Sequence, residues 1–551
     1  MCDSRIACIL PKTVHACSPS KAHRSTAHSA KRTNTEHRHT GLESVFDKEI
    51  LLMSKRKLLS LTAVVFGVLA LAIMTKGHVG LDIISGYRIA SAPEPSGPIP
   101  SERQLRWQEL EYYAFIHFNM NTFTDSEWGK GNEDPGLFNP SELDCRQWVR
   151  VCNDAGMKAI IITAKHHDGF CLWPSKFTDH SVKNSPFRGG KGDVLKELSA
   201  ACSEYGLKFG VYVSPWDRHE PTYGDSPRYN EQFRNQLREV MTSYGDIFEV
   251  WFDGACGEGP NGKRQVYDWP SFINVVRECQ PDAVIFSDGG PDVRWVGDED
   301  GIAGETNWSL LRRNEVYPGY EKYHELISGH ADGTHWVPAE CDVSIRPGWF
   351  YHSNQDGKVK SGRELLSLYC ASVGRNASLL LNIPIDRRGL IHENDARRLM
   401  EFKRLRDQAF SDNLALGAGA EASNVRGGDA RFGAQEAIDN RTGTYWATDD
   451  SATHASLIVK LKAPSEFNCI VLQEYIPLGQ RVEQFSIDVP DGAAWRSVAI
   501  GTTIGHKRIV KFPTVRASAV RLNILKSRAC PTISNLALHN SPVLNLELPG
   551  K

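Results

Sequence analysis

The chain has 551 residues, more than one ordinary domain needs, so two folded domains with additional segments are expected. A formal net charge of −2 and a charged fraction of 24% leave no basic footprint for nucleic acid. Thirteen cysteines, three of them before residue 20 and none in a Cys-x-x-Cys pair, argue against a structural zinc site. They read as buried thiols, with disulfides left open if the chain is exported.

Residues 1–52 are rich in His, Ser, Thr, Lys and Arg and carry no hydrophobic period, so they read as an unstructured upstream extension. Met53-Ser-Lys-Arg-Lys then precedes the apolar run Leu58–Met74. A basic segment followed by an apolar one is the anatomy of a secretory signal, so 53–77 is expected to be a signal peptide or signal anchor, with translation starting at Met53. An exported protein follows, periplasmic or extracellular, whose only membrane contact would be an anchor at 58–74. Residues 78–100 read as a linker. It contains a small-residue site at Ala90-Ser91-Ala92 and four prolines between Ala92 and Pro100.

From 101 to 411 apolar strands alternate with helical periods. The predicted strands are Tyr113–Phe118, Met157–Lys165, Leu207–Ser214, Ile247–Asp253, Ala283–Ser287, Gly301–Thr306, His335–Val343 and Ser378–Ile383. Helices are predicted at Ser141–Ala155, Lys191–Tyr205, Arg228–Tyr244, Pro270–Cys279, Arg363–Val373 and Glu393–Asp412. Eight strands alternating with helices over about 300 residues fit a (β/α)8 TIM-like barrel. An open doubly wound sheet is the rival, and the lack of a Gly-x-Gly-x-x-Gly after an early strand counts against dinucleotide binding.

The predicted strand ends are dense in His, carboxylate, Trp and Arg. His117 ends the first strand. Lys165-His166-His167-Asp168-Gly169-Phe170 ends the second, with Trp173 close behind. Ser214-Pro215-Trp216-Asp217-Arg218-His219 ends the third, and Asp253 ends the fourth. The fifth leads toward Arg294 and the acidic run Asp298-Glu299-Asp300, and Trp349 follows the seventh. Aromatic faces that stack on a pyranose, together with His, Asn and Arg that bond hydroxyls, suit a sugar. Taken singly, His117 reads as a satisfied core residue and the tryptophans as packing. Neighbouring residues on a strand point to opposite sides, so His166 and His167 are not expected to share a metal ion. Only their convergence on one barrel rim favours function.

These residues resemble the α-L-fucosidases of glycoside hydrolase family 29. The matching motifs are Phe115-Ile-His117-Phe, Lys165-His-His-Asp-Gly-Phe170-x-Leu-Trp173-Pro-Ser, Val250-Trp-Phe-Asp253-Gly-Ala and Leu379-Leu-Leu-Asn382-Ile-Pro. Gly290-Pro-Asp-Val-Arg-Trp-Val-Gly-Asp-Glu299 is similar to the subgroup that removes α-1,3- and α-1,4-linked fucose from branched glycans, although that subgroup often has Asn where Asp298 stands. The resemblance implies a retaining exo-glycosidase acting on a fucosylated oligosaccharide or glycan, with no cofactor and no metal. Asp253 would be the nucleophile and Glu299 the general acid/base, with Glu305 as the rival acid. His117, His166 and His167 would bind fucose hydroxyls, and Trp128, Trp173, Arg294 and Trp349 would line the same pocket, joined by Trp216 and Asp217 from the third strand end. A fucosidase that also cleaves α-1,2 links, or a fucose-binding protein with an inactive barrel, are the alternatives.

From 412 to 541 short alternating segments with turn-rich spacers predict an all-β jelly-roll sandwich, with 542–551 as a tail. Strands are expected at Leu457–Leu461, Cys469–Tyr475, Arg481–Val489, Arg508–Phe512 and Ala519–Ile524. The Asn413-Leu-Ala opening, Ala437-Ile-Asp-Asn440 with Thr444-Tyr-Trp446-Ala-Thr, and Val520-Arg521-Leu522 resemble the discoidin or coagulation-factor C-type module, which is galactose-binding-like. The module would either hold glycan or stabilise the barrel, and the second is favoured because no sugar-binding cluster stands out beyond Trp446.

Overall fold

The computed structural model describes residues 90–544. The predicted extension at 1–52, the signal or anchor at 53–77 and most of the linker lie outside them. Among the described residues no helix is long and apolar enough to cross a membrane.

Eight parallel strands close into a barrel: β1 Tyr112–Ile116, β2 Ala159–Lys165, β3 Lys208–Val213, β4 Ile247–Trp251, β5 Val284–Ser287, β6 Val293–Trp295, β7 Ala339–Ser344 and β8 Ala377–Asn382. Tyr112 pairs with Leu379, joining β1 to β8 and leaving no sheet edge. Alternation divides each strand between two cores. Tyr113 and Phe115 of β1 point into the barrel with Ile161, Tyr212, Trp251, Phe286 and Leu380. Tyr112, Ala114 and Ile116 face the surrounding helices. The barrel interior is stacked with rings: Tyr212 lies 5.3 Å from Trp251, and Trp251 lies 4.0 Å from Phe286. Two acids are buried below them. Glu249 accepts from the Trp107 indole at 2.8 Å, and Glu340 accepts from Trp251 at 2.8 Å. Burial pushes both carboxyls above their ordinary range.

The surrounding helices begin where the chain supplies caps. The Asp193 carboxylate accepts from Lys196 N at 3.0 Å ahead of the helix Val194–Tyr205, which ends on Gly206 at φ +74°. Ser361 and Glu364 form a capping box at the start of Gly362–Ala371.

Two expectations differ from the structure. The sixth strand is Val293–Trp295, not Gly301–Thr306. The latter run is a loop whose Gly301 adopts φ +75°, and the true strand is too short to show a period. The predicted strand His335–Val343 is two elements. His335–Trp336 pairs antiparallel with Leu310–Leu311, and Ala339–Ser344 enters the barrel. Pro338, which has no N–H for a ladder, sits between them.

The second domain is an antiparallel seven-stranded sheet system, β9 Gly419–Ala422, β10 Trp446–Ala447, β11 Ala455–Glu474, β12 Val482–Asp491, β13 Ala494–Gly501, β14 Arg508–Ser527 and β15 Thr532–His539. β11 and β14 run through the interruptions seen in the sequence, because bulges between Lys460 and Ser465 and between Phe467 and Cys469 let the ladder continue. Its core includes Trp446, Leu457, Phe467, Phe485 and Leu522. Trp446 is therefore a core residue whose indole donates to Asn424 O at 2.9 Å, not a sugar platform.

The two domains are joined by buried polar contacts. Gln480 bridges Ser309 N and Asn307 O at 2.8 and 3.0 Å. Glu111 of the barrel is ion-paired with Lys507, lies 3.4 Å from His506 and accepts from the Tyr369 hydroxyl at 3.1 Å. Eight of the ten described cysteines are buried free thiols.

Candidate active site

Parallel strands deliver their C-terminal residues to one rim. Asp253 follows Trp251 by two positions and keeps its inward direction. The Tyr212 phenol of β3 donates to Asp253 Oδ2 at 3.0 Å, and Ala255 N donates to Oδ1 at 2.7 Å. The side chain retains 26% of its exposure, so the fixed carboxylate still opens on the rim. Residue 254 must be glycine, since a Cβ there would overlap the Asp288 carboxylate.

Three imidazoles stand beside Asp253. His117 Nδ1 lies 2.8 Å from Asn382 Oδ1. The Asn382 amide nitrogen is occupied by Ser344 Oγ and Trp349 O, both at 2.9 Å. His117 Nδ1 therefore carries the hydrogen, leaving Nε2 as an acceptor. Burial pushes His117 down to about 3, against the Asn382 bond. Burial also holds His166 well below and His167 below the usual range, with the Asp253 charge opposing it for His167. All three are neutral at neutral pH, and His117 can accept a hydroxyl hydrogen at Nε2.

His166 and His167 do not face opposite sides. Their rings lie 4.1 Å apart, because β2 ends at Lys165 and the chain turns at once. His166 Nδ1 is 3.3 Å from Asn121 Nδ2, and His167 Nδ1 is 2.8 Å from Ser214 Oγ. His167 Nε2 is 3.7 Å from Asp253 Oδ2. Among the described residues no cluster is arranged to hold a metal ion.

Aromatic rings wall this group. Trp216 lies 4.8 Å from His167, Trp128 stands edge-on to both at 5.8 and 5.5 Å, and Trp349 lies 5.2 Å from His117. Trp128 is 46% exposed, an open apolar surface at the rim.

Glu299 follows β6 and is partly exposed, with Trp349 Nε1 at 3.3 Å from Oε2. Partial burial raises its carboxyl above the ordinary range. The Trp349 bond opposes this, and the charges of Asp253 and Glu127 add to it. Glu305 points elsewhere. It pairs with Arg375 and with Arg508 at 2.7 Å across the domain contact.

Three expected pocket residues serve behind the rim. Trp173 is packed in the core and donates to Glu239 at 3.0 Å. Asp217 accepts Lys165 Nζ at 3.0 Å and the amides of His219 and Glu220 at 3.0 and 2.9 Å, bracing the third loop. Arg294 is fully buried, donating to Leu326 O, Val337 O and Asn307 Oδ1, and burial pulls it down to about 9. Each is held by protein groups that use its polar atoms, so none is free for a sugar.

Four participants were missed from sequence. Tyr212 sits inside an apolar strand and reads there as core. Glu127 lies in a polar loop. Asn382 belongs to a motif but showed no role. Asp288, at the end of β5, is pushed up to about 7 by burial, against its bond from Gly319 N, with the Asp253 charge adding to the rise. Inward parity with Asp253 was the signal that could have marked Tyr212.

The rim thus holds a fixed carboxylate, a second carboxyl whose proton affinity is raised in part by the charge of the first, neutral imidazoles and aromatic walls, a set able to cleave a glycosidic bond. The alpha-L-fucosidase family model matches residues 99–404, and the F5/8 type C domain model matches residues 419–536. Alpha-L-fucosidase 1 of Arabidopsis thaliana is 44% identical over 451 residues, covering 81% of this chain and 88% of that protein. A crystal structure of SpGH29 is similar at 41% identity and TM-score 0.78, covering 82% of this chain and all of that one. A GH29 fucosidase of Ruminococcus gnavus, solved in complex with fucose, is 33% identical with TM-score 0.76, covering 84% and 98%. The barrel with this rim and the appended sandwich make the chain a member of the alpha-L-fucosidase family, a glycoside hydrolase carrying a C-terminal F5/8 type C domain.

Proposed function

We propose that the protein is a retaining exo-α-L-fucosidase that releases α-1,3- and α-1,4-linked fucose from branched, Lewis-type glycans. The observation that carries this reading is the unequal environment of two acids whose charges interact. Asp253 is held on both oxygens by Tyr212 and Ala255, while Glu299 is shifted toward its protonated form by burial and by the Asp253 charge. That is the division of labour double displacement needs. Asp253 attacks the anomeric carbon as Glu299 gives its proton to the departing oxygen. Glu299, now a base, takes a proton from water, which displaces Asp253 from the fucosyl-enzyme. His117, His166 and His167 hold the hydroxyls, and Trp128, Trp216 and Trp349 cover the apolar face. The fucose complex of the Ruminococcus gnavus relative supports the choice of glycone.

Linkage preference rests on the motif ending at Glu299. Release of fucose from a Lewis-type trisaccharide but not from 2′-fucosyllactose is expected, and equal release from both would remove the subgroup assignment. We also infer export, from the basic and then apolar stretch at 53–77, and a stabilising role for the sandwich, from its buried contacts with the barrel. N-terminal sequencing of the native protein tests the first, and a peptide from residues 1–52 in mature material would refute it.

A further inference from the structure

Glu127 and His352 lie outside the contacts around Asp253, yet they tie together the two loops that form the aromatic walls. Glu127 precedes Trp128 in the loop after β1, and His352 follows Trp349 in the loop after β7. His352 Nε2 is 2.6 Å from Glu127 Oε1, and its Nδ1 is 2.8 Å from Asp125 Oδ1. The other Glu127 oxygen accepts the backbone N–H of Trp349 at 2.9 Å. The carbonyl of Trp349 is taken by Asn382 at 2.9 Å, and its indole N–H reaches Glu299 at 3.3 Å. An unbroken series therefore runs from His352 through Glu127 and the Trp349 backbone to the Glu299 carboxyl.

The packing around this series leaves it little freedom. A Cβ on residue 348 would collide with Glu127 Oε1 and press on the His352 ring, so glycine precedes Trp349. Asp125, which holds the far side of His352, adopts φ +57° at the end of its helix and lies 3.6 Å from Arg387 Nη2. The His352 side chain is only 12% exposed, and a histidine between two carboxylates forms charge-assisted bonds, about twice as strong as neutral ones.

We propose that Glu127 and His352 are positioning residues which seat Trp349 so that its indole holds Glu299 in the orientation needed for proton donation. The inference rests on Glu299 being the general acid. Its signature is selective, because a misplaced acid harms substrates in proportion to their need for a proton. A dinitrophenolate leaves without one, whereas phenolate needs one.

The test is the ratio of kcat/KM for dinitrophenyl and phenyl α-L-fucosides, measured on single preparations so that partial folding cancels. Glu127→Ala should cost phenyl fucoside about 10-fold more than dinitrophenyl fucoside, a sizeable part of the 10²–10⁴-fold that general acid catalysis supplies. Glu127→Gln, which keeps an oxygen for Trp349 N–H, should recover most of the ratio. His352→Gln should fall between the two. Equal losses on both substrates in Glu127→Ala and His352→Gln, or no loss in either, would overturn the proposal. Glu299→Ala serves as the reference. If it shows no split, the assignment of Glu299 itself fails, and if it alone shows one, only the positioning role fails.

Discussion

Tyr212 holds Asp253 through a 3.0 Å bond from its phenol to Oδ2, although the two residues sit on different strands. In the second half of the proposed double displacement Asp253 would leave as a carboxylate, and that bond would stabilise the departing charge. Tyr212→Phe should therefore slow breakdown of the fucosyl-enzyme. A bond to a charged group is worth about 1.5–3 kcal/mol, or roughly 10- to 100-fold in rate. With an activated aryl fucoside, kcat and KM should fall together after a product burst. An unchanged kcat would show that Tyr212 only packs.

Glu299 must be protonated to act as the acid, and its proton affinity is raised. Activity on substrates with poor leaving groups should be full below that raised pKa and lost as pH rises through it, giving the alkaline limb of kcat/KM. Glu299→Gln should abolish this limb along with most of the activity, and azide should rescue Glu299→Ala on activated fucosides. An alkaline limb that persists in Glu299→Gln would assign it to another group.

Glu305, the rival acid, is 67% exposed on its side chain and paired with Arg375 and Arg508. Glu305→Ala should leave the leaving-group dependence unaltered while lowering stability, because it removes the carboxylate paired with the 7% exposed Arg508. Kinetic profiles and thermal melts of the one variant separate the two roles. A loss specific to poor leaving groups would restore Glu305 as a candidate acid.

Glu111 makes the opposite kind of contact. Burial alone would raise its carboxyl, but Lys507 and His506 outweigh that and hold it well below the ordinary 4.5. A depressed carboxylate contributes stability that is present above its unfolded pKa and lost as pH falls through the folded one. Glu111→Gln should destabilise the protein at neutral pH by about 3 kcal/mol, the lower range for breaking a buried pair. The gap from the parent should narrow in denaturant titrations taken below pH 4.5. A gap that does not change with pH would mean that the ion pair contributes nothing.

The barrel was legible because its strands are continuous apolar runs ending in chemistry-bearing residues, as at Ile247–Trp251 before Asp253. Val293–Trp295 was not, because three residues carry no period. In the sandwich, β9, β10, β13 and β15 escaped notice. The exposure of Ala494–Gly501 on much of its length dilutes the alternation. At the rim, residue type marked His117, His166, His167 and Trp349, whose rings follow one another at 5.2, 5.9 and 4.1 Å from Trp349 to His167. The same reasoning misplaced Asp217 and Trp173, since only tertiary packing shows that Lys165 and Glu239 already occupy them. Tyr212 and Glu127 went unseen because their partners lie 41 and 222 residues away.

The most direct test of the account is the anomer formed first. Proton NMR of a Lewis-type trisaccharide mixed with the protein, recorded from the first minutes, should show α-L-fucose appearing before mutarotation produces the β form. This is the outcome of attack by Asp253 followed by attack by water. β-L-fucose appearing first would mean a single displacement, with Asp253 acting on water instead of on carbon, and would contradict the mechanism.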